Sequence, residues 1–232
     1  MVQQLVAGVH HFKRQVFRQQ RELFARLAQG QSPQTLFITC SDSRIDPNLI
    51  THTDPGDLFV VRNAGNIIPA YGAASGGEIA SIEFAVTGLA VGDIVICGHS
   101  HCGAMKGLLH PEYLAEMPAV GQWLVHAEAT RRIVKSKYGH LAEDERLDAA
   151  TEENVLVQIE NLQTHPAVAV ALAEGNLKLH AWVYDIATGE VFAYDEDAGQ
   201  YVPLGEVRPP AAGPSGRLAD VNSGDGRFHL ET

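Results

Sequence analysis

The chain has 232 residues, 45% of them apolar and 19% charged, with 17 Lys plus Arg against 28 Asp plus Glu for a formal charge of −11. That length and apolar fraction support a buried core in one or two domains and exclude wholesale disorder. The acidic balance argues against non-specific binding to nucleic acid or to an anionic membrane surface.

Residues 2–28 carry Leu5, Val9, Phe12, Val16, Leu23, Phe24 and Leu27 at helical spacing, which predicts an N-terminal helical arm ended by Gly30 and Pro33. The opening MVQQLVAGVHHFKRQVFRQQ mixes charge throughout and has no apolar export core. TLFITC (35–40) reads as a buried strand, SDSRIDP as a loop and LFVVRN (58–63) as a second strand. A Gly- and Ala-rich stretch then opens into a helix over 76–91. DIVICG (93–98) is a third strand, followed by the loop HSHCG and the short helix AMKGLL. Residues 119–137 and 144–173 read as mostly helical, with Pro166 and Gly175 as punctuation. LKLHAWVYDI (177–186), a Thr188–Gly189 turn and EVFAYD (190–195) form a C-terminal hairpin. Strands alternating with helices predict an α/β fold with a mostly parallel sheet flanked by helices. The expected organisation is a domain over 1–205 and a Pro/Gly-rich tail over 206–232, either loose or an arm for a partner with Phe228 and Leu230 as anchors. No run approaches the ~18 apolar residues of a spanning helix.

Cys40, Cys97 and Cys102 are too few and odd in number for a disulfide framework, which places the chain in a reducing, cytoplasmic setting. Two loops follow buried strands: Cys40-Ser41-Asp42-Ser43-Arg44 and His99-Ser100-His101-Cys102. Ligands of open parallel sheets bind beyond the carboxyl ends of strands, where both loops sit. Two thiolates and an imidazole suit zinc, and three protein ligands leave a fourth position for water. Cys40, His99 and Cys102 are the natural three, with His101 the alternative; Cys97, inside a strand, packs as a small apolar residue. His10, His11, His140 and His165 read as ordinary surface or helix residues. Asp42 beside Arg44 stays ionised and can accept a hydrogen bond from a metal-bound hydroxide. A plain loop salt bridge is the alternative for that pair.

CSDSR at 40–44, VRNAGN at 61–66 and GHSHCGAMKG at 98–107 resemble the β-carbonic anhydrases, over roughly residues 1–205. Within that family, PNLITHTDPGDLFVVRNAGNIIPAYGAA is most similar to the cyanobacterial, carboxysome-associated group. The resemblance implies zinc on Cys40, His99 and Cys102, with Asp42 and Arg44 as the catalytic dyad. It implies reversible hydration of CO2 to bicarbonate by a zinc-bound hydroxide. It also implies a homodimer or higher even-numbered oligomer, clasped by the N-terminal helices, with the cleft at the subunit interface. Gln31, Phe59, Phe84 and the backbone N–H of Gly103 would line that cleft. A bicarbonate site found elsewhere in the family uses Trp, Arg and Tyr; here Arg62 and Tyr184 match but Phe37 replaces Trp, so no strong bicarbonate switch is expected. The tail would give a route to a carboxysome scaffold partner. Two other readings stay open: a carbonyl sulfide or carbon disulfide hydrolase on the same scaffold, and a non-catalytic assembly protein with a closed, four-ligand zinc.

Overall fold

The computed structural model describes residues 1–205; the tail expected over 206–232 lies outside the described residues. Four strands, β1 (Thr35–Cys40), β2 (Leu58–Asn63), β3 (Asp93–His99) and β4 (Lys178–Tyr184), run parallel. Two more, β5 (Val191–Asp195) and β6 (Gln200–Pro203), add antiparallel to make a six-stranded sheet ordered β2-β1-β3-β4-β5-β6. This is the expected mostly parallel α/β sheet. The hairpin anticipated at its end is extended by β6, whose four residues are too short to show a period.

The helices are α1 (Val2–His11), α2 (Phe17–Gln19), α3 (Arg21–Leu27), α4 (Pro47–Thr51), α5 (Gly77–Glu83), α6 (Gly103–Leu109), α7 (Pro118–Leu124), α8 (Glu128–Lys137), α9 (Glu143–Gln163) and α10 (Pro166–Ala173). A π-turn over Phe12–Val16 joins α1 to α2, so the expected arm is one helical run with a local widening as far as Gln19, and the non-helical Gln20 (φ −105°, ψ 26°) breaks it before α3. Helix α4 starts at Pro47, the last residue of the stretch that reads as loop, and occupies the segment before β2 to which no element is assigned above. Asp46 caps it by accepting from the N–H groups of Asn48 and Leu49, and Pro47 takes the first turn, where its missing N–H costs nothing.

β1 and β3 are apolar on both faces because both faces are covered. Leu36, Ile38, Ile94 and Ile96 meet Val155 and Leu162 of α9, Val168 of α10, and Ile82 of α5. On the other face Phe37, Val95 and Cys97 meet Ile45, Ile50, Leu58 and Trp182. A separate core of Met105, Leu108, Leu124, Val134, Leu147 and Ala150 lies beside Cys40 and Cys102, so the carboxyl ends of β1 and β3 are walled by α6–α9. One histidine corrects the reading above: His165 is buried, with Nε2 at 3.0 Å from the Pro69 carbonyl. Buried beside a backbone acceptor, it links α10 to the chain after β2 rather than facing solvent.

Candidate metal centre

Cys40 ends β1, His99 ends β3, and Cys102 directly precedes α6. β1 and β3 are paired in parallel, so their carboxyl ends emerge side by side and residues 62 apart in sequence meet. The two sulfurs lie 4.0 Å apart, and the donor atoms of Cys40, His99 and Cys102 are all within 4.8 Å of one another, an arrangement that could hold a metal ion. His101 takes a left-handed conformation (φ 55°) and lines a cavity of about 260 Å³ with Asp148, Glu152 and Asp185 instead of joining the cluster.

His99 is fully buried. Its Nδ1 lies 3.0 Å from the Ser100 carbonyl, which can only accept, so Nδ1 carries the proton and Nε2 presents a lone pair. Among the described residues that Nε2 has no hydrogen-bond partner. A buried lone pair without a donor costs free energy unless an electrophile meets it, and here it faces the two sulfurs.

The thiols favour a cation as well. The Cys40 thiol is lowered to about 4, first by the hydrogen bond from Cys102, with help from the N–H of Gly65 at 3.3 Å. Cys102 moves the opposite way: bonding to the Cys40 sulfur and burial hold its proton well above the usual thiol range. Two buried thiolates this close cannot both ionise unless a positive charge lies between them, and a divalent metal supplies that charge. Cys97 is a different case. It is fully buried in β3 and pushed up to about 12, chiefly by desolvation, as expected of a packing residue.

Asp42 and Arg44 form a bidentate pair, with Arg44 Nη2 to Oδ2 at 2.7 Å and Nε to Oδ1 at 2.9 Å. The Arg44 N–H also donates to Oδ1, and these bonds hold the Asp42 carboxyl well below the usual carboxylate range. The second Arg44 anchor is the His101 carbonyl at 3.1 Å, which ties the two loops together. Asp42 Oδ2 comes to 3.8 Å from His99 Nε2, so the carboxylate borders the donor cluster while Arg44 occupies both its oxygens. This is more than an isolated loop salt bridge. Among the described residues the cluster has three donors, and the fourth ligand of a closed structural site is not among them.

The cleft residues expected from the resemblance lie elsewhere in the single chain. Phe59 and Phe84 meet each other, with ring centroids 6.0 Å apart. Phe59 pairs in register with Leu36, and Asn63 with Cys40, so four residues of strand, roughly 13 Å, separate Phe59 from the cluster. Gln31 is exposed in the turn before β1, at the opposite end of that strand from Cys40. Gly103 alone is local, opening α6 next to Cys102.

Several supporting roles escape motif reading. Arg62 donates to the carbonyls of Cys40, Asp42 and Ile45 at 2.7–3.0 Å and so shapes the whole 40–45 loop. The Trp123 indole N–H donates to the Ala64 carbonyl, and Asn154 Nδ2 donates to that of Gly65, fixing the loop that offers its N–H to the Cys40 sulfur. Gly65 has φ +82°, a conformation that favours glycine, and this was the one signal of that loop visible in the VRNAGN motif.

Fold and site together define a class: an α/β protein with a three-donor cysteine–histidine centre at the carboxyl edge of a parallel sheet. A family model described as carbonic anhydrase matches residues 35–191. A carbonic anhydrase from Synechocystis is 54% identical over 195 residues, covering 84% of this chain and 71% of the relative. The solved structure of the β-carbonic anhydrase CcaA aligns with a TM-score of 0.86 at 52% identity, covering 87% of this chain and 98% of that one. One of two tetrameric β-carbonic anhydrases from Sordaria macrospora aligns with a TM-score of 0.76 at 31% identity, over 83% of this chain and 95% of the other. The chain belongs to the carbonic anhydrase family, in its β class, and is an enzyme of that family.

Proposed function

We propose that the chain hydrates CO2 reversibly to bicarbonate and a proton, using zinc held by Cys40, His99 and Cys102. The observation that carries this reading is the buried, unpartnered Nε2 of His99 facing two sulfurs 4.0 Å apart, beside an ionised carboxylate. Zinc held by these three residues would acidify a bound water enough to supply hydroxide near neutral pH, and the two thiolates would temper that effect relative to a three-histidine site.

The protein's own groups do the rest. Asp42, kept ionised by Arg44, accepts a hydrogen bond at its Oδ2 and so orients the attacking oxygen toward the CO2 carbon. Arg44 also keeps that carboxylate committed, which would hold it back from ligating the metal. The N–H of Gly103 steadies the product. Phe59 and Phe84 provide an apolar berth for CO2, and the Gln31 amide hydrogen-bonds one of its oxygens. Because these three lie far from their own chain's centre, a second copy of the chain supplies them. The working unit is therefore at least a homodimer. Residues 206–232 are our candidate contact for a carboxysome scaffold, which a pull-down with and without the tail tests.

The experiment is stopped-flow CO2 hydration by zinc-quantified protein, with Asp42→Ala alongside. Rapid turnover that scales with zinc, falling on the order of 100-fold in the variant while zinc is retained, is the expected result. Full zinc occupancy without turnover would overturn the reading, and so would an unimpaired Asp42→Ala.

A further inference from the structure

His99 can bind a metal through Nε2 only while its Nδ1 holds the proton, and the acceptor that keeps it there is the backbone carbonyl of Ser100. Where that carbonyl points depends on how residue 100 is held. Its N–H donates to the Tyr184 carbonyl at 2.9 Å, which continues the β3–β4 ladder one step past the His99–Tyr184 pair. Its hydroxyl donates to Asp185 Oδ1 at 3.2 Å and accepts from the Ile186 N–H at 3.0 Å. Asp185 is anchored in turn, since Oδ1 also accepts from the Ala187 N–H at 2.8 Å. The β4–β5 turn does not need these side-chain bonds to close. Asp185 N–H to the Glu190 carbonyl at 2.8 Å and Gly189 N–H to the Asp185 carbonyl at 2.9 Å already do that. The Ser100 hydroxyl therefore spans 85 residues to tie a ligand loop to a turn that is complete without it.

We infer that Ser100 and Asp185 are positioning residues for the metal centre, holding the Ser100 carbonyl where it keeps the His99 proton on Nδ1 and Nε2 free for the ion. The inference rests on zinc binding at Cys40, His99 and Cys102. Groups one step behind a metal ligand orient it and set its basicity, and losing one typically costs 10–100-fold in affinity. A turn with a merely structural role would change stability without moving the histidine proton.

The test uses the full chain as wild type, Ser100→Ala, Ser100→Thr, Asp185→Ala and Asp185→Asn. Zinc affinity is measured by competition with a chromophoric chelator, and the His99 tautomer by imidazole nitrogen chemical shifts in metal-free protein. Ser100→Ala and Asp185→Ala should each weaken zinc binding on the order of tenfold and admit the tautomer protonated at Nε2. Ser100→Thr keeps the hydroxyl and Asp185→Asn keeps an acceptor oxygen, so both should stay close to wild type. The inference falls if wild-type His99 carries its proton on Nε2. It falls equally if both alanine variants bind zinc within about twofold of wild type. If Ser100→Ala does not fold, Asp185→Ala and the wild-type nitrogen shifts carry the decision. Wild-type protein that takes up no zinc would instead sink the metal reading, and the tautomer measurement would still decide the positioning role.

Discussion

Three cysteines with the same side chain have different chemistry because of where their strands leave them. Cys97 sits inside β3 with no water around it, and desolvation holds its proton up to about 12. Cys40 and Cys102 sit at element ends, where the sulfurs meet each other and the His99 ring. Zinc-loaded protein should therefore react with few or no equivalents of an aromatic disulfide thiol reagent. After chelation two thiols per chain should become reactive, the third only on unfolding; a third reactive thiol in folded, metal-free protein would contradict this assignment. The division was visible in the sequence, since a strand interior and a strand end are distinguishable by pattern. The tautomer of His99 was not, because it depends on a carbonyl whose direction is set 85 residues away.

Among the elements, α9 departs furthest from what its sequence suggests. Asn154, Gln158 and Asn161 form a polar line at helical spacing, which on a surface helix would face water. Asn154 and Gln158 are instead buried: Asn154 donates to the Gly65 carbonyl, Gln158 accepts from the Ile68 N–H, and Asn161 donates to the Ile68 carbonyl. The line satisfies the backbone of an irregular loop that no strand covers, so a mostly apolar core tolerates it. Asn154→Ala leaves the Gly65 carbonyl and the Gln158 amide without their partner, and should cost about 2–3 kcal/mol in denaturant unfolding at an unchanged m-value. Because Gly65 also serves the Cys40 sulfur, the same variant should weaken zinc retention; wild-type stability and wild-type zinc content together would show the seam to be incidental.

At the scale of the whole molecule, the arm is an element without a core of its own. None of α1, α2 or α3 contains a buried residue, and Leu5 and Val9 are 66% and 65% exposed. An apolar stripe of that length left in water is unfavourable, and a second copy of the chain is the partner our reading supplies. Leu27 already packs against Gly56, so the unsupported part lies further toward the N-terminus. Deleting residues 1–19 should give a lower oligomer by light scattering, with CO2 hydration reduced at least about tenfold and zinc retained. An intact oligomer with full activity would show that the arm does not clasp a partner and that the cleft does not depend on it.

The run of β-rich apolar segments, their alternation with helical stretches and the spacing of Cys40, His99 and Cys102 were enough to determine the parallel sheet and to single out three donors that could hold a metal. Each depends on local pattern and on the topological rule that parallel strands end at one edge. The tertiary structure alone decided that His101 turns away, that a buried polar seam on α9 holds the loop behind Cys40, and that Phe59 and Phe84 lie some four residues of strand from their own centre. These features depend on hydrogen bonds and register between segments far apart in sequence, where no periodicity reaches.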